Sequence, residues 1–227
     1  MRKLSRLLCL MLACSLMAGI FIGCGKDRQD NSNSNGQTTF TVGFDAEFPP
    51  YGYKDDNGEY VGFDLDLAQE VCDNLGWELV KKPINWDSKD MELNSGTIDC
   101  IWNGFTINGR EDDYTWSDPY INNEQVIVVA ADSGIESLDD LAGKNVVVQA
   151  ASAALDALNS EDNQALKDSF GSLTENPDYN TAFMNIDSGA ADAVAVDNTV
   201  VSPYCINAAP FACACLLYTS PSPRDYA

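Results

Sequence analysis

Histidine is absent from all 227 residues of the chain. That removes the commonest metal ligand and the side chain that most often acts as a general base near neutral pH, so enzyme chemistry starts at a disadvantage. Positive charge is scarce as well: 13 Lys and Arg stand against 35 Asp and Glu, a formal charge of -22. Nucleic-acid phosphates need a basic face, and this balance argues against one. What remains is ordinary for a globular protein, with 45% hydrophobic residues and enough length for two small lobes rather than one large core.

The first residues carry Arg2, Lys3 and Arg6, then a mostly apolar run from Leu7 to Ile22. This is the pattern of a secretory signal, too short for a comfortable membrane span and followed at once by polar sequence. Phe21-Ile-Gly-Cys24 resembles a bacterial lipobox, in which Cys24 would be lipidated and become the mature N-terminus; Cys14 competes but has only a short apolar run before it. Residues 1–23 are therefore expected to be a signal peptide and residues 24–38, which have almost nothing to bury, a lipid-anchored flexible tether.

From Thr39 the periodicity alternates strands with helices. Phe40–Phe44 reads as a first strand with a loop at Asp45–Pro50. Asp55-Asp-Asn-Gly58 reads as a hairpin turn rather than a calcium loop, because the spacing does not match an EF-hand. Asp64 is expected to cap a helix whose Leu65, Ala68, Cys72 and Leu75 face the core, with Gly76 ending it. Cys72 and Cys100 read as buried apolar residues. Trp77–Lys82 is a strand, and Trp86 just beyond it is either core or a pocket wall. Gln125–Ala130 crosses into a second lobe, where Ser137 caps a short helix. Asn145–Gln149 is a strand leading to a turn at Ala150-Ala-Ser152, whose exposed N–H groups suit an anion. Helices follow at Asn163–Gly171 and Asp178–Ser188, and a strand ends at Asp197.

Trp102–Tyr120 organises the rest. Asp99–Asn103 reads as a buried strand ending at Gly104, where backbone N–H groups are left free, and Arg110 follows. Arg110 is either a carboxylate-binding guanidinium or one half of a surface ion pair with Glu111 or Asp112. An internal echo favours the first. Ser95-Gly-Thr-Ile-Asp99 and Ser188-Gly-Ala-Ala-Asp192 both follow a helix and precede an apolar strand, and counting on from each Asp places Gly104 and Asp197 at equivalent strand ends. Open α/β sheets bind their ligands at such ends. N–H donors with Arg110 on one side and a carboxylate on the other suit a zwitterion.

Five stretches together, 44–50 (FDAEFPP), 61–68 (VGFDLDLA), 104–110 (GFTINGR), 116–120 (WSDPY) and 193–197 (AVAVD), resemble the extracytoplasmic solute-binding component of polar amino acid ABC transporters. The resemblance spans residues 40 to about 207. It implies an α/β, two-lobe periplasmic-binding-protein-like fold (type 2), each lobe a mixed sheet flanked by helices, with 39–124 as lobe 1 (incomplete) and 125–207 as lobe 2. It implies no catalysis and no cofactor. Its partners would be a free amino acid, ABC permease subunits and the membrane through the lipid anchor, with no nucleic acid, outside the cytoplasmic membrane. Arg110, with backbone at Gly104 and Thr106 and with Ser152 helping, would hold the α-carboxylate, and Asp197 would take the α-ammonium. Phe48 and Trp86 would be aromatic walls, and Asp45 would touch the ligand side chain. Asp45 beside Glu47 would make that end acidic, favouring a polar neutral or cationic amino acid. The turn from Thr106 to Arg110 is one residue shorter than the usual family pattern, and Ala151-Ser152 stands where Gly-Thr is usual.

Family members continue past the second lobe and return to the first; here residues 208–227 have a foreign character, and Cys213–Ala227 is expected to be unpacked coil. Cys205, Cys213 and Cys215 make an incomplete metal set with no fourth ligand in view. The alternative function is an enzyme of dehydratase type on the same scaffold, or a ligand-sensing domain. An enzyme would need Glu47 buried in the cleft as its acid or base; a solvent-facing Glu47 favours binding.

Overall fold

The computed structural model describes residues 36–205 and 211–219, with side chains to Val201. The signal sequence and Cys24 lie outside the described residues, as do the side chains of Cys205, Cys213 and Cys215. The chain divides between Thr38 and Thr39.

The first lobe begins with β1 (Thr39–Phe44), which pairs in parallel with β5 (Glu78–Pro83) on one side and β6 (Cys100–Ile101) on the other. A small antiparallel sheet, β2 (Glu47–Phe48), β3 (Gly52–Lys54) and β4 (Tyr60–Val61), precedes helix α1 (Phe63–Leu75). The β3–β4 turn has Gly58 at φ +86°, as a tight hairpin requires. Val42 and Phe44 pack on Leu65 and Ala68 to form this lobe's core. Cys72 is buried on the same helix, but Leu75 is 54% exposed: it falls in the last turn, where the helix has already rotated past the sheet. Asp64 does not cap α1. Gly62 holds that position at φ +139°, and Asp64, inside the first turn, is fully buried.

A 3₁₀ turn (Trp86–Ser88) leads into α2 (Lys89–Asn94). The second lobe is a five-stranded sheet in the order β11-β7-β10-β8-β9, formed by β7 (Glu124–Ala130), β8 (Asn145–Gln149), β9 (Ser172–Asn176), β10 (Ala193–Asp197) and β11 (Phe211–Thr219). Strands β8, β9 and β10 run parallel, and β7 runs antiparallel to both β10 and β11. Helices α3 (Ala153–Asn159), α4 (Gln164–Ser169) and α5 (Tyr179–Asp187) flank it, and α6 (Asn198–Cys205) follows β10. Strands buried on both faces need apolar residues without alternation, and Ala193–Asp197 is buried throughout.

Two readings change here. Pairing from Asp99 to Asn103 shortens to Cys100–Ile101, because Asp99 bends its carboxylate back to the Thr41 N–H at 2.7 Å instead of continuing the strand. Phe211–Thr219 is a strand on the edge of β7, with register shifts after Cys213 and Leu216, rather than coil; its mostly apolar run, with Phe211 and Tyr218, meets an open sheet edge. The internal echo is structural. Gly96 and Gly189 both take a left-handed φ, +73° and +72°. Asp192 accepts from the Asn145 N–H at 2.8 Å, the counterpart in lobe 2 of the Asp99 contact to Thr41.

Candidate functional site

The two echoed strand ends meet. Gly104 and Asp197 line one cavity with Phe48, Trp86, Asn103, Phe105, Thr106, Arg110, Gln149, Ser152 and Ala153; its volume is about 20 Å³. Room on that scale holds about one water molecule, less than an amino acid needs.

Arg110 follows a tight turn at Gly109 (φ +76°) that brings its guanidinium back over the Phe105 ring at 5.1 Å. It donates to the Thr106 carbonyl at 3.3 Å and reaches across to lobe 2, donating to the Ala151 carbonyl at 3.4 Å and to Asp156 at 2.5 Å. Its side chain is 10% exposed, and the ion pair is with Asp156 rather than with Glu111 or Asp112. Gly104 lines the cavity, but its N–H donates to the buried Asp64 carboxylate, so the free N–H expected there is already engaged. Asp64 also accepts from the Tyr120 hydroxyl at 2.8 Å; burial pushes its carboxyl up to about 6 despite both donors. A carboxylate that looked like a helix cap thus pins the loop that carries Arg110. Thr106 contributes a carbonyl to Arg110 and a hydroxyl that accepts from Asn123 at 3.0 Å.

On the second lobe, Ser152 caps α3, accepting from the Leu155 N–H at 3.2 Å. Asp197 is buried and accepts from Gln125 at 2.7 Å, from Asn123, and from the Tyr179 hydroxyl at 3.5 Å. Burial raises its carboxyl even so, which leaves the ionised form in need of a cation. Phe48 packs between Tyr51 and Tyr179, with ring centroids at 5.6 and 5.8 Å. Trp86 is buried and meets Phe105 edge-on at 5.1 Å, so it is both core and cavity wall.

Asp45 is 5% exposed and crosses the cleft to Gln149, which donates at 2.6 Å; the Glu47 N–H donates to its other oxygen at 2.9 Å. Burial raises its carboxyl to about 6, opposed by those donors and assisted by the charges of Asp178 and Glu47. Glu47 itself is exposed and takes the side-chain amide of Asn180.

Sequence reasoning missed Lys89, Asn103, Phe105, Asn123, Gln125 and Gln149. The amides carried a usable signal: Gln125 is the second residue of a strand and Gln149 the last of one, both buried to 1% exposure, and a polar side chain in a buried strand must meet a polar partner. Lys89 gave none, because a lysine at a helix start reads as solvated. Among the described residues no cluster of His, Cys, Asp and Glu is suited to a metal ion.

Against known proteins, the L-cystine-binding protein TcyJ of Escherichia coli (strain K12) is 33% identical over 141 residues, covering 61% of this chain and 53% of that protein, so the chain spans about half of that relative's length. The arginine-binding extracellular protein ArtP of Bacillus subtilis (strain 168) is 30% identical over 200 residues, 87% of this chain and 74% of ArtP. An ABC uptake transporter substrate-binding protein from Streptococcus pneumoniae, solved with bound histidine, superposes with a TM-score of 0.70 at 33% identity, over 73% of this chain and 68% of that one. These similarities agree with the two-lobe fold, and residues 40–197 match the profile of the bacterial extracellular solute-binding proteins, family 3, the family to which this chain belongs.

Proposed function

We propose that the chain captures a free amino acid outside the cytoplasmic membrane by closing its lobes around it, and delivers it to an ABC permease. One observation carries the reading: Arg110 of lobe 1, in the loop after Gly104, and Asp197 of lobe 2, at the strand end equivalent to Gly104, line one cavity with aromatic rings. The ligand α-carboxylate pairs with Arg110, aided by the α3 N-terminus at Ser152, and the α-ammonium with Asp197. Because these partners sit on different lobes, the ligand stabilises the closed state by contacts the open state lacks. Phe48 and Trp86 wall the site, Thr106 and Gly104 shape its floor, and Asp45 meets the side chain. A polar neutral or cationic amino acid fits, in keeping with relatives named for cystine and arginine.

The lobes are assigned to 39–124 and 125–207, with 1–23 removed as a signal and Cys24 lipidated to hold the protein at the membrane. Labelling with a radioactive fatty acid tests the anchor: the label is expected on the parent and lost in Cys24→Ser. The enzyme alternative needed a buried Glu47, and Glu47 is exposed. Calorimetry of the chain against the common amino acids tests the main reading; binding to at least one polar neutral or cationic member is expected, and binding to none overturns it.

A further inference from the structure

Lys89 is 4% exposed, and among the described residues it has no ion pair. Its ammonium lies over the Trp86 ring at 5.2 Å and the Phe105 ring at 5.8 Å, two walls of the cavity. Its polar contact is to the carbonyl of Ala151 on the other lobe at 3.5 Å, the oxygen that Arg110 also approaches at 3.4 Å. Ala151 is held at φ +54°, alone among the described non-glycine residues in the left-handed region. Such a conformation costs about 1 kcal/mol or more in a residue with a Cβ. It aims one carbonyl at two cations.

Two positive charges converging on one neutral oxygen are poorly compensated. Asp156 answers Arg110, but it is 59% exposed and its charge is screened by water. Burial holds the Lys89 ammonium below the usual lysine range and Arg110 adds to this, while Asp90, Asp156 and Asp87 oppose it. A buried cation of this kind contributes little to folding, since an apolar group of similar size is often as good or better. It contributes where an anion arrives. Since Lys89 and Ala151 belong to different lobes, their contact exists only with the cleft closed.

We propose that Lys89 is a second cation of the carboxylate subsite, a specificity residue through which closure favours a ligand with a free, ionised carboxylate over the same ligand with that charge removed. This rests on the reading of the cleft as an amino-acid site. Aromatic faces under the ammonium hold it beside Arg110 and against the Trp86 and Phe105 walls of the cavity, although Lys89 is not itself among the lining residues.

The test is calorimetry with the best-binding amino acid and its carboxamide, on the unsubstituted chain, Lys89→Met and Lys89→Gln, with a thermal melt of each without ligand. Both substitutions are expected to weaken amino-acid binding about tenfold and carboxamide binding less than threefold, and Lys89→Met to melt no lower than the parent. Equal losses for acid and amide, or no loss, would overturn the proposal, as would retention of the preference in Lys89→Gln, which would assign it to the Ala151 hydrogen bond rather than to charge. A lower melting point with equal losses would mark Lys89 as structural. If the unsubstituted chain bound neither compound, the amino-acid reading itself would fall, and Lys89 with it.

Discussion

Replacing Asp45 by Asn separates side-chain selectivity from recognition of the α-groups. In the closed cleft burial lifts this carboxyl from 3.8 to about 6. A shift of about 2 units corresponds to about 3 kcal/mol against the ionised form at neutral pH. Part of the penalty belongs to closure, because Gln149 of the other lobe meets the carboxylate. A cationic ligand side chain offsets it and a neutral one does not. Asp45→Asn keeps the shape and one acceptor, enough for the Gln149 amide but not also for the Glu47 N–H, and removes the charge. It is therefore expected to weaken a cationic amino acid ten- to a hundredfold while leaving a neutral one unchanged or tighter. The sign with pH follows from the raised value. As pH falls from about 6 toward 3.8 the closed cleft takes up a proton that an open carboxylate does not, so closure on a neutral ligand gains and closure on a cation loses. Calorimetry with arginine and glutamine at pH 7.5 and 5 reads both effects, and the part of the pH dependence that differs between the two ligands should vanish in Asp45→Asn, while the part from Asp64 and Asp197 remains. Equal changes for both ligands, or a cationic ligand indifferent to the substitution, would refute the reasoning.

Asp197→Asn should reduce amino-acid affinity a hundredfold or more, since a buried charge partner typically accounts for about 2–5 kcal/mol; equilibrium dialysis measures it. Asp64→Ala strips the Gly104 N–H and the Tyr120 hydroxyl of their acceptor and should lower the melting temperature by several degrees, at about 1–3 kcal/mol for the groups left unpaired. Gly62→Ala should destabilise the first lobe by more than about 2 kcal/mol in urea unfolding, because a Cβ there would lie 2.3 Å from the Tyr51 carbonyl oxygen at a φ of +139°.

The fold was legible where local chemistry and burial agree. The Ser-Gly-x-x-Asp echo announced two like lobes because its glycine must be left-handed and its Asp ties the entry of one strand to another, as Asp99 does for Thr41 and Asp192 for Asn145. Gly104 and Asp197 could be paired by counting from those motifs, with Arg110 following in the loop after Gly104. Asp64 misled because an acidic residue in a first turn suits a helix whether it caps or not; its engagement of Gly104 is a contact across 40 residues that no local pattern encodes. Leu75 misled because a helical stripe predicts a face but not where the sheet beneath it ends. Lys89 was illegible for a related reason: burial comes from the lobe that closes over it. The strand at Phe211–Thr219 escaped notice because its apolar run became an element only by meeting the open edge of β7.

A crystal structure of the chain with whichever amino acid binds most tightly tests the central claim most directly. The account predicts one ligand spanning the cleft, its carboxylate on Arg110 and its ammonium on Asp197, with its side chain between Phe48 and Trp86 toward Asp45. A ligand seated elsewhere, or one contacting a single lobe, would contradict it.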